Sequence, residues 1–416
     1  MRRTKTYKGL YMFKGFATAT MIAAAGLMVM SCGKGKEEAS SSATKVENVT
    51  LTVWESTNGP DEFIKQAGAK FHETHPNVDI KYVNVELGDA IGQIALDGPA
   101  GKGPDVFAAP HDRLGTLVSG GHVLPTSNPD EVRAHALGAC STALTYGGTM
   151  YGYPVSAETY AMFYNKALIS EDELPKTWED LAAFAKKFNE NNPGKYGFVM
   201  DVGNSYYTII FTTADGNRLY GADGTDSKHS NINSPAAVKG MEFFQSLRDA
   251  LPVPAADLET ATVDAAFQSG TAAIHITGLW NVVPFEKAGI DFGVAPLPSL
   301  PGDTKPAASF SGTRAMFVSA YSDHPEEANE FAKFLMSDEM QILRFNLTKA
   351  APSLKVKVDS PYMTGFITQL DFAFPMPSIP EMGTYWEAMN NASKNIWNGA
   401  DVKAELDACD AAITSK

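Results

Sequence analysis

Several aromatic side chains follow strand or turn signals, and they are the residues of this sequence best suited to binding a ligand. Trp54 ends an apolar run, Tyr206 and Tyr207 follow a turn-like segment, and Trp280 and Trp386 follow stretches that contain Gly or Pro. Ligands of open α/β sheets bind beyond the carboxyl ends of strands. There, a flat aromatic face can stack on the CH-rich face of a sugar ring, while carboxylates and arginines bind its hydroxyls. Core packing explains any one of these aromatics alone, so their shared placement favours a ligand site without identifying the ligand.

The motifs of common enzyme classes are absent from the sequence. No G-x-G-x-x-G follows a predicted strand, and the chain has no Walker A loop, no G-x-S-x-G and no H-E-x-x-H. No Cys/His cluster has the spacing of zinc ligands, so neither a metal nor a cofactor is predicted. An exported glycosidase or polysaccharide lyase stays open, because a glycosidase needs only two carboxylates at the right separation.

Short apolar runs alternate with amphipathic stretches along the chain. Residues Thr50–Trp54 and Val106–Ala109 are predicted strands, and Asp61–Thr74 is a predicted helix with one apolar face. Thr177 and the pair Ser234-Pro235 are typical helix starts. This alternation predicts an α/β architecture with largely parallel sheets.

The N-terminus has the pattern of an export signal. Five basic residues accompany an apolar run, Phe16–Met30, which is shorter than the about 20 residues that a membrane-spanning helix needs. Val29-Met30-Ser31-Cys32 resembles a bacterial lipobox. Residues 1–31 are therefore interpreted as a lipoprotein signal peptide, Cys32 as the lipidated residue and 32–47 as a flexible tether. An ordinary signal peptide, cut at a nearby small residue, is the alternative. In either case the protein is exported, and a lipid anchor would hold it at a membrane, facing the periplasm or the cell exterior.

The charge of the chain limits its partners. Among 416 residues, 48 are Asp or Glu and 34 are Lys or Arg, which gives a formal net charge of −14. This balance argues against nucleic acid, whose binding depends on basic patches. It also argues against broad adhesion to anionic lipid, so membrane contact rests on the anchor alone. The length favours two domains.

Two cysteines, Cys140 and Cys409, remain after Cys32. They could pair, because the compartment is expected to be oxidising. Two buried free thiols are the preferred interpretation, since three cysteines are too few for a disulfide framework.

From Leu51 to the C-terminus the chain resembles the maltose/maltodextrin-binding proteins, the solute-binding subunits of ABC importers. The resemblance is carried by the segments Gly103-Pro104-Asp105-Val106-Phe107-Ala108-Ala109-Pro110-His111-Asp112-Arg113-Leu114-Gly115, Tyr153-Pro154-Val155-Ser156-Ala157-Glu158, Phe163-Tyr164-Asn165-Lys166, Thr177-Trp178-Glu179, Ala265-Ala266-Phe267-Gln268-Ser269-Gly270, Gly278-Leu279-Trp280, and Met376-Pro377-Ser378-Ile379-Pro380-Glu381-Met382 with Trp386.

The resemblance implies a type II periplasmic-binding-protein fold, with two discontinuous α/β lobes joined by a hinge. The first lobe would comprise residues 48–157 and 313–358, and the second 158–312 and 359–416. Cys140 and Cys409 would then lie in different lobes. Sugar would close the hinge, and the closed form would dock on the permease subunits of the importer. The protein itself would be a monomer and would catalyse no reaction.

The same resemblance implies the ligand-binding residues. Asp112 and Arg113 would bind sugar hydroxyls from the first lobe, and Glu158 would reach the sugar near the hinge. On the second lobe, the contacts would come from Tyr206, Tyr207, Trp280, Met376 and Trp386.

Three departures from the maltose binders leave the sugar open. Ala109 replaces a tryptophan, Asn204 replaces a carboxylate, and Asn58-Gly59 replaces an Asp-Lys pair. A buried polar ligand group left unpaired costs about 1–3 kcal/mol, enough to change sugar preference. Trehalose, sucrose, another glucoside, a polyol or a glycerophosphodiester remain alternatives. A lipoprotein that binds a protein partner would instead place its aromatics on a flat exposed patch.

Overall fold

The structure is a computed structural model, and it describes residues 48–414. The predicted signal peptide, lipidation site and tether lie outside the described residues. The strands are β1 (Val49–Glu55), β2 (Val78–Asn84), β3 (Val106–Pro110), β4 (Thr145–Tyr146), β5 (Thr149–Met150), β6 (Tyr153–Glu158), β7 (Tyr160–Asn165), β8 (Tyr196–Val199), β9 (Ala272–Gly278), β10 (Phe292–Ala295), β11 (Phe310–Val318) and β12 (Phe374–Pro375).

Helices surround these strands. They are α1 (Pro60–Thr74), α2 (Ala90–Asp97), α3 (Leu114–Ser119), α4 (Pro129–His135), α5 (Gly138–Ala143), α6 (Trp178–Asn191), α7 (Ser205–Thr208), α8 (Pro235–Ser246), α9 (Thr260–Gln268), α10 (Val282–Lys287), α11 (Pro325–Leu335), α12 (Asp338–Thr348), α13 (Met363–Leu370), α14 (Met382–Trp397) and α15 (Val402–Ile413). Short 3-10 turns link several of them, including His111–Arg113 and Leu279–Asn281. No helix among residues 48–414 has the length and apolar character to cross a bilayer.

The first sheet has the strand order β12-β11-β3-β1-β2, and β6 also pairs with β11. Apolar clusters cover both faces: Val106 and Ala108 belong to one, and Phe107 and Ala109 to the other. Neighbouring residues of a strand point to opposite faces, which explains why β3 is apolar at consecutive positions. Such a strand is buried between two layers.

The second sheet has the order β10-β7-β9-β8, and a separate apolar cluster forms around it. Trp178 of α6 and Trp397 of α14 are fully buried in this cluster. Apart from the two-stranded sheet β4-β5, residues 48–414 therefore form two larger sheets, each with its own core, as the predicted two-lobed α/β fold requires.

The chain crosses between the sheets with a single residue between two strands. β6 ends at Glu158 in the first sheet, and β7 begins at Tyr160 in the second. Between them, Thr159 Oγ1 donates a hydrogen bond of 2.7 Å to the carbonyl of Phe310, where β11 begins. The two crossing segments are thus bonded to each other.

The expectation of largely parallel sheets is wrong, because both sheets are mixed. β1 pairs in parallel with β2 and β3, but β11 is antiparallel to both β3 and β6. In the second sheet β7 is antiparallel to β9 and β10. Two parallel neighbours in a sheet need a long crossover connection, usually a helix, between them. β7 instead follows β6 after a single residue, so it enters the second sheet without such a crossover.

Candidate functional site

All but one of the candidate site residues line one cavity of about 260 Å³, which we call the first compartment. They are Asp112, Arg113, Glu158, Tyr206, Trp280, Met376 and Trp386. Leu87, Gly88, Pro110, Gly312 and Thr313 complete the wall and were not predicted from the sequence. The residues come from both sheets, so the cavity lies where the two halves of the described chain face each other.

Asp112 and Arg113 lie on the 3-10 turn that directly follows β3. Asp112 is only 3% exposed. Its Oδ2 accepts a hydrogen bond from Trp386 Nε1 at 3.1 Å and lies 3.3 Å from Arg113 Nε. Trp386 belongs to α14 in the other half of the molecule. The carboxylate is therefore held by one partner from each half, which fixes its direction at the cavity wall.

His111 supports this turn from beneath. Its Nδ1 accepts a hydrogen bond from the Thr313 backbone N–H at 3.0 Å, and its Nε2 donates to the Met376 carbonyl at 2.9 Å. These partners require the neutral tautomer with the proton on Nε2. Burial lowers the pKa of His111, with Asp112 opposing this in part, so the neutral form is favoured.

A second contact joins the same two segments. Gly115 N–H donates to the Ser378 carbonyl at 3.0 Å, and a Cβ on Gly115 would lie 2.3 Å from that oxygen. Only glycine permits this approach. Met376, at the start of the segment, is nearly buried and presents its side chain to the first compartment.

The tyrosine pair divides between two roles. Tyr206 lines the cavity, and its ring lies 6.1 Å from that of Trp280. Asn204 caps the short helix α7, because its side chain accepts a hydrogen bond from the Tyr206 backbone N–H at 3.0 Å. The cap places Tyr206 directly after the turn that the sequence indicated.

Tyr207 does not line the cavity. It is 5% exposed and packs edge-to-face against Tyr160, with ring centroids 5.1 Å apart. Burial raises the pKa of its hydroxyl well above the usual value. Consecutive residues at a helix start face different directions, so only one of the two tyrosines reaches the cavity and the other packs against Tyr160 and Tyr206.

Trp280 is 38% exposed, the highest value among the candidate aromatics. It follows β9 on a 3-10 turn and borders a further cavity of about 610 Å³, which we call the second compartment. Glu158 also lines both compartments, and its Oε1 accepts a hydrogen bond from Ser156 Oγ at 3.2 Å. Trp280 and Glu158 therefore lie where the first and second compartments meet, and the two compartments together form one groove.

The second compartment has polar walls. Its side chains with hydroxyl, amide or charged groups are Ser56, Thr57, Asn58, Glu158, Thr159, Gln268, Asn281, Lys287, Arg314, Arg344 and Thr348. Apart from Asn58 and Glu158, none of these was singled out from the sequence, because they come from loops and helices far apart along the chain.

A buried ion cluster forms the floor of this compartment. Arg314 Nε donates to Glu55 Oε2 at 3.2 Å, and Arg344 Nη1 lies 3.4 Å from the same oxygen. Burial raises the pKa of Glu55, but the two guanidinium groups outweigh it, and the pKa lies below its usual value. Burial also lowers the pKa of Arg344 to about 10. Arg314 donates to Ser56 Oγ at 2.6 Å, so the cluster fixes the loop that follows β1.

Two of the three departures from the sequences of the maltose binders have a local structural explanation. Ala109 is fully buried opposite Ala315 of β11, so it contributes no wall to the cavity. Gly59 has φ of +119°, and a Cβ there would lie 3.0 Å from the Leu347 carbonyl. A lysine at position 59 would therefore be strained, and the loop of this chain excludes the charged pair.

The groove combines stacking faces with fixed hydrogen-bonding groups. Trp280, Trp386 and Tyr206 present aromatic rings, whereas Asp112 and Glu158 present acceptors and Arg113 presents donors. Ligand sites generally combine apolar walls with a few placed polar groups. This arrangement suits a ligand with apolar ring faces and many hydroxyls.

Comparisons with known proteins agree with this geometry. Residues 54–342 match the model of the family described as bacterial extracellular solute-binding protein. A galactooligosaccharide-binding protein of Bacillus subtilis is 33% identical over 422 residues, covering 97% of each chain. A maltooligosaccharide ABC transporter solute-binding lipoprotein of Streptococcus pneumoniae is 29% identical, covering 91% of each.

The fold is also that of solved sugar-binding proteins. A cyclo/maltodextrin-binding protein complexed with maltotetraose superposes with a TM-score of 0.77 at 35% identity, covering 88% of this chain and 96% of the other. The predicted two-lobed periplasmic-binding-protein fold is thereby confirmed, as is the resemblance on which it rested. The chain belongs to the family of bacterial extracellular solute-binding proteins.

Proposed function

We propose that this protein is the substrate-binding lipoprotein of an ABC sugar importer, and that it captures a malto-oligosaccharide in the groove. The observation that carries the proposal is the cavity that joins Asp112 and Arg113 of one half to Tyr206, Trp280 and Trp386 of the other. Relatives named for maltooligosaccharide and maltodextrin binding support the same ligand class.

Capture occurs by hinge closure. The first lobe comprises residues 48–157 and 313–358, and the second comprises 158–312 and 359–416. The crossing at Thr159 and the separate cores of the two sheets support these bounds. A ligand that contacts both lobes at once binds the closed form more tightly, so it shifts the population towards closure.

The protein is exported and held at a membrane by lipid on Cys32. The leader residues 1–31 and the relative named as a lipoprotein support this assignment. The closed protein, as a monomer, delivers its sugar to the permease subunits of the importer. The acidic composition supports a role without nucleic acid and without direct adhesion to anionic lipid.

The protein binds its ligand without chemical change. Membership in a family of binding proteins supports this, and it sets the chain apart from an exported glycosidase or lyase. Asp112 and Glu158 act as hydroxyl acceptors rather than as a general acid and a nucleophile.

A galacto-oligosaccharide is the second candidate ligand, because the Bacillus subtilis relative named for it is 33% identical over nearly the whole chain. Both ligand classes have pyranose rings that stack on tryptophan, and they differ in the direction of individual hydroxyls. Those directions are read by the polar walls of the second compartment.

Isothermal titration calorimetry of the chain from Gly33 to Lys416 tests the proposal. Maltose, maltotriose, galactotriose and trehalose would be titrated, and thin-layer chromatography would then check each mixture for breakdown. The proposal predicts tightest binding of maltotriose, with the sugar intact. Tightest binding of galactotriose would favour the second candidate, and release of smaller sugars would contradict a binding role.

A further inference from the structure

Asn281 lies next to Trp280, and its side-chain amide oxygen, Oδ1, has no role in the function proposed above. It lies at the end of the 3-10 turn after β9, lines the second compartment and is 5% exposed. Its Nδ2 donates two hydrogen bonds, to Asp264 Oδ1 at 2.8 Å and to Thr277 Oγ1 at 2.8 Å. Both amide protons of Asn281 are therefore used within the protein.

The carboxylate of Asp264 determines which way the amide of Asn281 points. An ionised carboxylate only accepts hydrogen bonds, so the Asn281 atom beside it must be the nitrogen. Asp264 is itself held in place, because His275 Nε2 donates to the same oxygen at 2.7 Å. The exchange of oxygen and nitrogen that leaves many amide side chains ambiguous is thus excluded at this position.

The oxygen of Asn281 is left as a free acceptor. Within residues 48–414, no hydrogen bond reaches Oδ1, and this atom is not among the fully enclosed polar atoms without a partner. An amide oxygen has two lone pairs and prefers to accept. Because the nitrogen faces Asp264 and Thr277, the oxygen faces the second compartment.

We propose that Asn281 is a further saccharide-binding residue, whose Oδ1 accepts a hydrogen bond from a ligand hydroxyl in the second compartment. Asp264 is the positioning residue that keeps the oxygen, rather than the amide protons, towards the ligand. The inference rests on the proposed function. It adds a subsite beside Trp280 that distinguishes saccharides by the direction of one ligand hydroxyl. A ligand lacking a hydroxyl at this point would leave Oδ1 without a donor.

The test compares saccharide affinity in three variants of the chain from Gly33 to Lys416. Asn281→Ala removes the acceptor. Asp264→Asn keeps the acceptor but replaces the carboxylate by an amide, so the Asn281 side chain can turn its protons to the ligand. Asn189→Ala is the matched control: its half-buried amide bonds the Ala250 carbonyl and the Gly197 N–H at 2.8 Å each, away from the groove.

Calorimetry with maltotriose, maltose and galactotriose would be combined with thermal unfolding of each variant. Since a neutral hydrogen bond contributes about 0.5–1.5 kcal/mol, the Kd of the tightest ligand should rise about 3- to 10-fold in Asn281→Ala. We expect a rise in Asp264→Asn as well. Asn189→Ala should lower the unfolding temperature without changing the Kd.

Two results would overturn the inference, and they are distinguishable. Wild-type affinity in Asn281→Ala would remove Asn281 from the binding site and leave the proposed function intact. Failure of the wild-type chain to bind any of the three sugars would overturn the proposed function together with the inference. A crystal structure with the tightest ligand gives the direct readout, namely a ligand hydroxyl within about 3.0 Å of Asn281 Oδ1.

Discussion

Trp386 Nε1 donates a hydrogen bond to Asp112 Oδ2 at 3.1 Å, although the two residues are 274 positions apart. An aromatic wall and a carboxylate of the same cavity therefore hold each other in place across the groove. The bond joins the 3-10 turn after β3 to helix α14, which belong to different cores. Any change in the relative position of the two halves must alter it.

Two replacements of Trp386 separate the contribution of its stacking face from that of its hydrogen bond to Asp112. Trp386→Ala should weaken saccharide binding about 10-fold or more, since a lost aromatic contact and the loss of its buried area each contribute about 1 kcal/mol. Trp386→Phe keeps a stacking face and loses only the hydrogen bond to Asp112, so it should lose less affinity. Calorimetry of both variants checks this, and equal affinity in Trp386→Ala and the wild type would remove Trp386 from the site.

Trp280 lines the first compartment, whereas Tyr207 does not. Trp280→Ala should abolish stacking at the junction of the two compartments and weaken binding about 10-fold. Tyr207→Phe should have a smaller effect on Kd, because it removes only a buried hydroxyl and keeps the ring contact with Tyr160. Calorimetry measures both. A larger loss in Tyr207→Phe than in Trp280→Ala would mean that Tyr207 contacts the ligand itself.

His111 makes ligand binding sensitive to pH. Its pKa is lowered from the usual 6.5, so the unfolded chain takes up a proton before the folded chain does. The contribution of neutral His111 to the free energy of unfolding is complete above pH 6.5. It is lost as the pH falls from 6.5 through the lower pKa of the folded state. Protonation would also break the hydrogen bond from Thr313 N–H. The unfolding free energy should therefore decline below pH 6.5, whereas saccharide affinity should decline only at the lower pH at which His111 of the folded protein takes up a proton.

The control for this prediction is His111→Gln, whose amide offers one acceptor and one donor and has no charge change in this range. The decline of the unfolding free energy below pH 6.5 should be shallower in the variant than in the wild type. Identical slopes would assign the pH dependence to other groups.

The carboxylate of Glu55 should be necessary for stability rather than for ligand contact. Glu55→Gln removes the carboxylate that pairs directly with the buried Arg314 and Arg344, and breaking a buried pair typically costs about 3–5 kcal/mol. Glu339→Gln breaks an exposed pair with Lys70, which solvent screens, so it should cost far less stability. Urea unfolding of the two variants measures the difference. Similar losses in both would contradict a structural role for the buried cluster.

The lowered pKa of Glu55 also has a pH consequence. The contribution of this carboxylate to the free energy of unfolding is complete above the usual glutamate pKa of 4.5. It is lost as the pH falls through the lower pKa of Glu55 in the folded protein. Glu55→Gln should therefore show a weaker loss of stability below pH 4.5 than the wild type.

Cys140 and Cys409 are both buried free thiols, as the sequence interpretation preferred. Burial raises the pKa of Cys140 to about 11 and that of Cys409 to about 12, so almost no thiolate forms near neutral pH. In the chain from Gly33 to Lys416, a thiol reagent should label neither cysteine in the folded state and both in urea. Absence of labelling in urea would indicate a disulfide.

The sequence predicted local features well where a single segment determines them. Thr177 and Ser234 cap their helices, with side chains that accept from Asp180 N–H and Ala237 N–H. The turn at residues 201–204 places Asn204 as the cap before Tyr206. In each case a side chain bonds a backbone group two or three residues away, so the pattern is visible in the sequence.

Features that depend on distant segments could not be predicted. Glu55 meets Arg314 across 259 positions, and no local pattern of either residue indicates the pairing. Thr313 and Leu87 reach the first compartment only because β11 and the loop after β2 converge on the turn at Asp112. The resemblance concerns Tyr206 and Tyr207 as a pair, and the different direction of each side chain follows only from the packing of α7.

Small-angle X-ray scattering of the chain from Gly33 to Lys416, with and without saturating maltotriose, tests most directly whether the two lobes close on a sugar. We expect a smaller radius of gyration with maltotriose, and a smaller change in Trp280→Ala than in the wild type at a sugar concentration near the wild-type Kd. An unchanged radius of gyration in a wild-type sample shown by calorimetry to be saturated would contradict capture by hinge closure.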